Sequence, residues 1–312
     1  MGKTTLTVNI ATALAELGHR VLLVDSDPQC NLTAHLVENE VVDDLLDRSD
    51  TSDGNTIWSA VKPIYVGTGD IRTVGLIELP TPNLYLLPGD ILLSLYETEL
   101  TEFWRSCFTR NPRGIRGVTA ISDLTTRYAK KHKFDYVFFD TGPNIGPLNR
   151  CILLDCNYFI VPAACDLFSI RGLKTLGASL ASWITDWETI LRLAPTDSYL
   201  LEGRPAFLGY IPQRFRVYGG AMSQEHLKHL ITFEKQLFAD LVSRLHKIDP
   251  ALAPKTLTGS KLGEVQDFGS LVPRSHELGV AFKDVSEGNQ ALIARAKTVF
   301  MDIAKRIVSR TT

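Results

Sequence analysis

Cysteine is scarce in this sequence, and the little there is lacks pattern. Its five cysteines (Cys30, Cys107, Cys151, Cys156 and Cys165) are odd in number and show no paired C-x-x-C spacing. Neither a disulfide framework nor a cysteine-held metal is expected, and the thiols are read as reduced. Histidine is equally unpatterned. None of the seven falls in H-x-x-x-H or comparable ligand spacing, and His226 and His229, three apart, are read as exposed helix residues. No serine–histidine–aspartate arrangement stands out either. No apolar run reaches the ~18 residues that a membrane-spanning helix needs, and no signal peptide is expected. The net charge of −2 supplies no global field toward nucleic acid or membrane, so any basic surface has to be local. Repeats and low-complexity tracts are absent as well, and a cytoplasmic protein is expected.

What is present is an alternation of apolar patterns. With 312 residues, 45% of them hydrophobic, the chain can bury one large α/β core. Residues 4–17 carry apolar side chains at helical spacing (Leu6, Ile10, Leu14, Leu17), with Gly18 as a terminator. "HRVLLVDSD" is then a short, continuously apolar strand of the kind buried on both faces of a parallel sheet. The pattern returns in the strands "NLYLLPGD", "FDYVFFD", "CNYFIVPA" and "RPAFLGYIP". Helices are expected to end in "ISDLTTRYAKKHK" and to cover 169–191, 221–247 and 286–309. "GSLVPRS" reads as containing a short strand, and 48–76 and 193–205 as surface excursions. The whole predicts a single domain over 1–312, a doubly wound, mostly parallel sheet flanked by helices.

The chemistry is concentrated at strand ends. "MGKTTLTVNI" opens on Gly2, Lys3, Thr4 and Thr5, the tail of the phosphate-loop pattern G-x-x-x-x-G-K-[ST]. In such a loop the lysine neutralises phosphate charge, the next hydroxyl binds Mg²⁺, and the helix N-terminus supplies oriented N–H groups. Four residues are weak evidence alone. However, Asp25 and Asp27 end the next strand and Asp140 ends "YVFFD". Ligands of open α/β sheets bind beyond the carboxyl ends of strands, which puts Lys3, Asp25, Asp27 and Asp140 around one crevice.

With these residues in view, "GKTTLTVNIATALAELGHRVLLVDSDPQCNLT" resembles the ParA/MinD superfamily of deviant Walker ATPases, specifically its ParA (Soj-like) partition branch, whose signature is D-x-D-P-Q-x-N-x-T. The likeness continues through "NLYLLPGDILLSLYETEL", "FDYVFFDTGPNIGPLNR" and "LVPRSHELGVAF". It implies ATP and Mg²⁺ as cofactors. Gly2, Lys3, Thr4 and Thr5 would hold the phosphates, and Thr4 and Asp140 the metal. Asp27 would orient the attacking water, with Asp25 supporting the site from the same strand end. Pro212 and the Pro273–Arg274 pair would lie beside the adenine. It also implies an ATP-dependent homodimer, non-specific DNA binding with nucleoid association, and a ParB-like activator or cargo adaptor.

The sequence departs from the family pattern in places. The lysine of K-G-G-x-G-K-T, its glycines and the strand before them are missing. The expectation is that Met1 is a misassigned or truncated start, and that the chain as it stands binds ATP weakly. Cys30 stands where D-P-Q-G-N has glycine, and Thr141-Gly142-Pro143 replaces T-P-P. Residues 184–205 exceed the usual connection.

For DNA, Arg295, Arg306 and Arg310 share one face of the last helix. Arg110, Arg113 and Arg116 form a second basic group, and Arg214 and Arg216 flank Phe215. Lys130, Lys131 and Lys133 are read as a solvated helix end, and Trp183 and Trp187 as packing. Three alternatives compete with this reading. A MinD-like membrane-cycling ATPase needs a basic amphipathic tail that "AKRIVSRTT" does not supply. An iron–sulfur reductase needs a cysteine soon after Asp140. A non-catalytic scaffold with a degenerate loop stays open.

Overall fold

The residues of the first predicted strand go alternately to two separate cores. Leu22 and Val24 face one apolar cluster and Val21 and Leu23 the other, all four fully buried. This is why the run is continuously apolar: both faces of a parallel strand are covered by helices. In the computed structural model, which describes residues 2–164, 167–215, 217–218, 221–222 and 224–312, the side chains of 165–168 and 214–226 stay outside the description.

The chain begins with α1 (Lys3–Glu16), β1 (Val21–Asp25), α2 (Asn31–Leu36), α3 (Asn39–Arg48) and α4 (Ile57–Val66). Next come β2 (Ile77–Glu78), β3 (Leu84–Leu87), α5 (Leu93–Cys107), α6 (Pro112–His132) and β4 (Tyr136–Asp140). The middle holds α7 (Pro147–Asp155), β5 (Tyr158–Ala163), α8 (Leu167–Leu193) and β6 (Ala206–Phe215). Two short strands, β7 (Val217–Tyr218) and β8 (Ala221–Met222), lead to α9 (Gln224–Leu237), a π-turn at 238–242 and α10 (Ser243–Ile248). The chain closes with β9 (Val265–Gln266), α11 (Leu271–Leu278) and α12 (Gln290–Thr311).

The strands order as β2-β3-β1-β4 and β5-β6-β9, parallel except for β2, with β7 and β8 as a separate antiparallel pair. The expected α/β architecture is therefore present, but the sheet is in two parts. Among the described residues β4 pairs only with β1, and β5 only with β6. Burial reflects this: every residue of β1 is buried, whereas Tyr136–Phe139 of β4 are only half-buried. Alternate peptide groups of a strand point to opposite sides, and among the described residues no strand pairs with the second side of β4 or of β5.

Three expectations are corrected. "GSLVPRS" is helical, forming the start of α11, and the short strand lies just before it in β9. Pro273 sits in the helix's first turn, where its missing N–H costs nothing. Second, the stretch 48–76 is not merely a surface excursion: α4 buries Ile57, Trp58, Val61 and Ile64 in the larger core. Its start is marked by a reciprocal cap in which Thr56 accepts from Ser59 N–H and Ser59 from Thr56 N–H. Third, the helix expected over 221–247 begins at Gln224 and is interrupted by the π-turn.

Trp187 and Trp183 differ in kind. Trp187 is fully buried, stacks on Trp104 with ring centroids 5.6 Å apart, and donates from Nε1 to the Leu201 carbonyl. Trp183 is half-buried. Trp187→Ala should therefore cost about 3–5 kcal/mol in a denaturant titration, and Trp183→Ala much less. Equal losses would contradict this packing.

Candidate nucleotide site

The parallel register of β1 and β4 sets Asp25 directly beside Asp140 at the carboxyl ends of the two strands. A further tie follows at once: Ser26 donates through both N–H and Oγ to the Asp140 carbonyl, at 3.0 and 2.6 Å. Onto this edge α1 delivers Lys3 and Thr4. Thr4 Oγ1 donates to Asp140 Oδ2 at 2.6 Å, and Lys3 Nζ donates to the Gly142 carbonyl at 2.5 Å.

Gly2 adopts φ 99°, a left-handed conformation that glycine takes without strain. A Cβ there would lie 2.6 Å from Gln213 Oε1. Gly2 thus sits beside Gln213 of β6, next to Lys3, whose Nζ reaches the loop after β4.

Asp27 is nearly buried and holds the turn that follows it. Its Oδ1 accepts from Gln29 N–H at 3.0 Å and its Oδ2 from Asn31 Nδ2 at 3.3 Å. The carboxylate lies across from Gly142, where a Cβ would come within 3.3 Å of Oδ1. Lys3, Thr4, Asp27 and Asp140 therefore converge at the carboxyl ends of β1 and β4, whereas the strand-end rule had grouped Lys3, Asp27 and Asp140 with Asp25.

Asp25 is placed differently. It is fully buried and its Oδ2 accepts from both the N–H and the hydroxyl of Thr33, at 2.8 and 2.7 Å. It braces the crevice from behind. Cys30 has φ 53° and ψ 31°, the left-handed region that glycine adopts without strain.

The electrostatics are those of a site built for charges it does not itself balance. Burial pushes the Asp140 carboxyl up to about 6, against the opposing effects of Thr4 and Lys3. Burial pushes Asp25 up to about 7 despite the Thr33 hydrogen bonds. Burial also lowers Lys3, opposed by Asp140 and Asp27. Asp140 Oδ1 is enclosed and has no hydrogen-bond partner. An unpartnered carboxylate oxygen beside a threonine hydroxyl is a hard-oxygen pair that fits Mg²⁺, which keeps several waters and takes few protein ligands. Among the described residues no group of three or more His, Cys, Asp or Glu could hold a metal by itself.

The remaining candidate residues are more dispersed. Thr5 lies in the first turn of α1, its carbonyl accepting from Asn9 Nδ2 at 2.8 Å. Pro212 is buried in β6, opposite Ala163 of β5. Pro273 is exposed, and Arg274 pairs with Glu277 and Glu287 at 3.0 and 3.2 Å. Arg306 donates to the Leu262 carbonyl at 3.0 Å and Arg310 to those of Leu208, at 2.9 Å, and Gly259, while Arg295 is exposed. Arg113 and Arg116 are likewise engaged, with the Tyr65 carbonyl and Asp70. Arg216, Cys165 and the side chains of Arg214 and His226 lie outside the described residues, and His229 is half-buried rather than exposed.

Two residues escaped sequence reasoning. Gln213 lies two positions before the end of β6 with no local motif to mark it. Asn149, in α7, donates to the Gly142 and Asn144 carbonyls at 3.0 and 2.6 Å and so holds the loop after Asp140. Its sole signal was its position nine residues beyond that aspartate.

The comparisons with known proteins decide the family. The family model AAA_31, an AAA domain, matches residues 1–192. The chain belongs to this family, among ATPases of the ParA/MinD partition type. The sporulation initiation inhibitor protein Soj of Bacillus subtilis is 31% identical over 182 residues, covering 56% of this chain and 58% of Soj. The chain thus spans about half the length of the curated relatives it matches. Protein DIP2308 from Corynebacterium diphtheriae shares the fold with a TM-score of 0.72 and 22% identity, over 99% of this chain and 94% of that one. The septum site-determining protein MinD of Pyrococcus horikoshii, complexed with Mg-ADP, gives a TM-score of 0.53 and 15% identity over 98% and 90%. Such family membership supports a partitioning or positioning role. Among the described residues no helix is long and apolar enough to cross a membrane.

The raised carboxyls at the two strand ends have a consequence for stability. The folded protein keeps protons on Asp140 and Asp25 up to about pH 6 and 7, whereas the unfolded chain releases them near ~4. Their contribution to stability is present below ~4 and is lost as pH rises through 6 to 7. The nucleotide-free protein should therefore melt at a lower temperature at pH 7.5 than at pH 5, and Asp140→Asn should flatten part of that decline. A wild-type midpoint that rises over this range would contradict the assignment.

Proposed function

We propose that this protein is an ATP hydrolase that binds Mg-ATP in the crevice at the ends of β1 and β4, dimerises on ATP and drives partitioning of DNA or another cargo. The observation that carries the reading is the meeting of Lys3, Thr4, Asp27 and Asp140 at one sheet edge, with an unpartnered oxygen on Asp140. Lys3 exchanges the Gly142 carbonyl for phosphate oxygens. Thr4 and Asp140 hold the metal, which when bound supplies neutralisation of the β- and γ-phosphate charge. Asp27, across the crevice, orients the attacking water. Phosphoryl transfer requires such positioning and charge stabilisation rather than covalent chemistry by the protein.

Non-specific DNA is the proposed partner of the ATP-bound dimer, with nucleoid association, and a ParB-like protein its activator or cargo adaptor. Arg295 is the exposed member of the proposed DNA face. Arg306 and Arg310 would have to reach phosphates while keeping, or exchanging, their carbonyl contacts. Adenine is proposed to lie toward Pro212 and the Pro273–Arg274 turn.

The divided sheet supports one more element. A single apolar strand running into Gly2 is proposed to lie between β4 and β5, which share no strand pairing among the described residues, and to carry the rest of the phosphate loop. Buried unpaired peptide groups cost about 1–3 kcal/mol each, so filling this slot should raise stability. A version extended by an apolar strand and K-G-G-x-G should melt higher and bind ATP with micromolar affinity by calorimetry, and the unextended chain should bind more weakly. Equal affinity and equal melting in the two would overturn this element.

Hydrolysis is tested in the same extended protein. Asp27→Ala should leave ATP affinity within about twofold and abolish nearly all turnover, since general-base and water-orienting groups contribute roughly 10²–10⁴-fold. Turnover at the wild-type rate would remove Asp27 from the mechanism. ATP binding without turnover in the wild type would favour the non-catalytic scaffold.

A further inference from the structure

The turn that carries Asp27 is pinned at both ends by one buried carboxylate. Asp25 Oδ1 accepts from Asp27 N–H at 3.3 Å, at the start of the turn. Asp25 Oδ2 accepts from Thr33 N–H and Thr33 Oγ1 at 2.8 and 2.7 Å, one turn into α2. Residues 27–30, with the strained Cys30, are thus closed into a loop whose two ends meet on Asp25. Thr33 completes the arrangement. Its hydroxyl gives its proton to Asp25 and accepts from Gly89 N–H at 2.8 Å, which brings in the loop after β3.

The hydroxyl is buried and has no room to reorient: Thr33 is 2% exposed and Asp25 fully enclosed. Gly89 packs so closely that a Cβ on it would lie 2.8 Å from Asp25 Cγ and Oδ2. No atom of Thr33 is among the groups gathered around Lys3 and Asp140.

We infer that Thr33 is a positioning residue for hydrolysis: through Asp25 it fixes where the Asp27 carboxylate stands relative to the phosphate crevice. This rests on the ATPase reading above. Thr33 and Asp25 anchor no phosphate in that reading, so their loss should move the water-orienting group without disturbing ATP itself. A misplacement of about 1 Å can cost roughly 10²-fold in rate.

The test is steady-state ATPase kinetics with parallel fluorescent-ATP binding on wild type, Thr33→Val, Thr33→Ser and Gly89→Ala. Valine keeps the shape and removes the hydroxyl, leaving the Asp25 oxygen and Gly89 N–H each short of a partner. Thr33→Val should lower kcat at least about tenfold while the KM for ATP and the binding affinity stay within twofold. Thr33→Ser, which retains the hydroxyl, should restore most of the rate.

Gly89→Ala displaces the same carboxylate from the other side and should reproduce the kcat loss even where Thr33→Val fails to fold. A merely structural threonine would lower the melting temperature but leave kcat per folded molecule unchanged, which would overturn the inference. So would a Gly89→Ala variant with wild-type kcat, or a change in KM alone. Absence of turnover in the wild type would instead overturn the hydrolase reading, and this inference with it.

Discussion

The register of two parallel strands governs the whole site. Because β1 and β4 align residue for residue, from Val21 opposite Tyr136 to Asp25 opposite Asp140, both end on an aspartate at the same level. A one-residue slip would turn every side chain of β4 to the other face of the sheet and carry Asp140 away from Thr4. The register is enforced by what lies on either side of the strand. Alternate residues of β1 are claimed by two cores, and Ser26 clamps the Asp140 carbonyl beyond the strand end. The helix that brings Lys3 and Thr4 is held by its own packing on α12 and the sheet, so the meeting of loop and strand end follows from the core.

That meeting concentrates charge where water is scarce. Two enclosed carboxylates, one lysine and a threonine hydroxyl cannot all be satisfied by one another. Burial drives Asp25 and Asp140 toward the neutral form, and it works against the charge of Lys3 as well. A cation at Asp140 and an anionic phosphate at Lys3 would each relieve what burial penalises. The site therefore stores a mismatch that its proposed ligands correct, which couples binding to stability. The brace formed by Asp25, Thr33 and Gly89 belongs to the same economy of space, since three chain segments converge on one carboxylate.

Much of this was legible in the sequence because the signals were local. Continuous apolar runs ending in Asp25 and Asp140 identified β1 and β4, of which only β1 is buried throughout, and helical spacing after Lys3 identified α1. The strand-end rule grouped Lys3, Asp25, Asp27 and Asp140 from positions far apart in the chain, and the structure sets Asp25 behind the others. Legibility failed where tertiary context decides. The "GSLVPRS" segment looked extended because Val and Pro favour that form, yet proline is harmless in the first turn of α11. The polar envelope of 48–76 hid Ile57, Trp58, Val61 and Ile64, whose spacing and Thr56 cap were present but diluted. Gln213 and Asn149 act through side chains that reach loops distant in sequence, so nothing nearby marks them. The division of the sheet between β4 and β5 was signalled only by the strand expected before Gly2, not by any local pattern in β4 or β5.

The central claim is that Thr4 and Asp140 form the protein half of a metal–nucleotide site. Its most direct test is a Mn²⁺ titration of the strand-completed protein followed by electron paramagnetic resonance, with and without a non-hydrolysable ATP analogue. The account predicts tight Mn²⁺ binding only with the nucleotide, weakened at least about tenfold by Asp140→Asn and by Thr4→Val. Binding that ignores the nucleotide, or survives both substitutions unchanged, would contradict it.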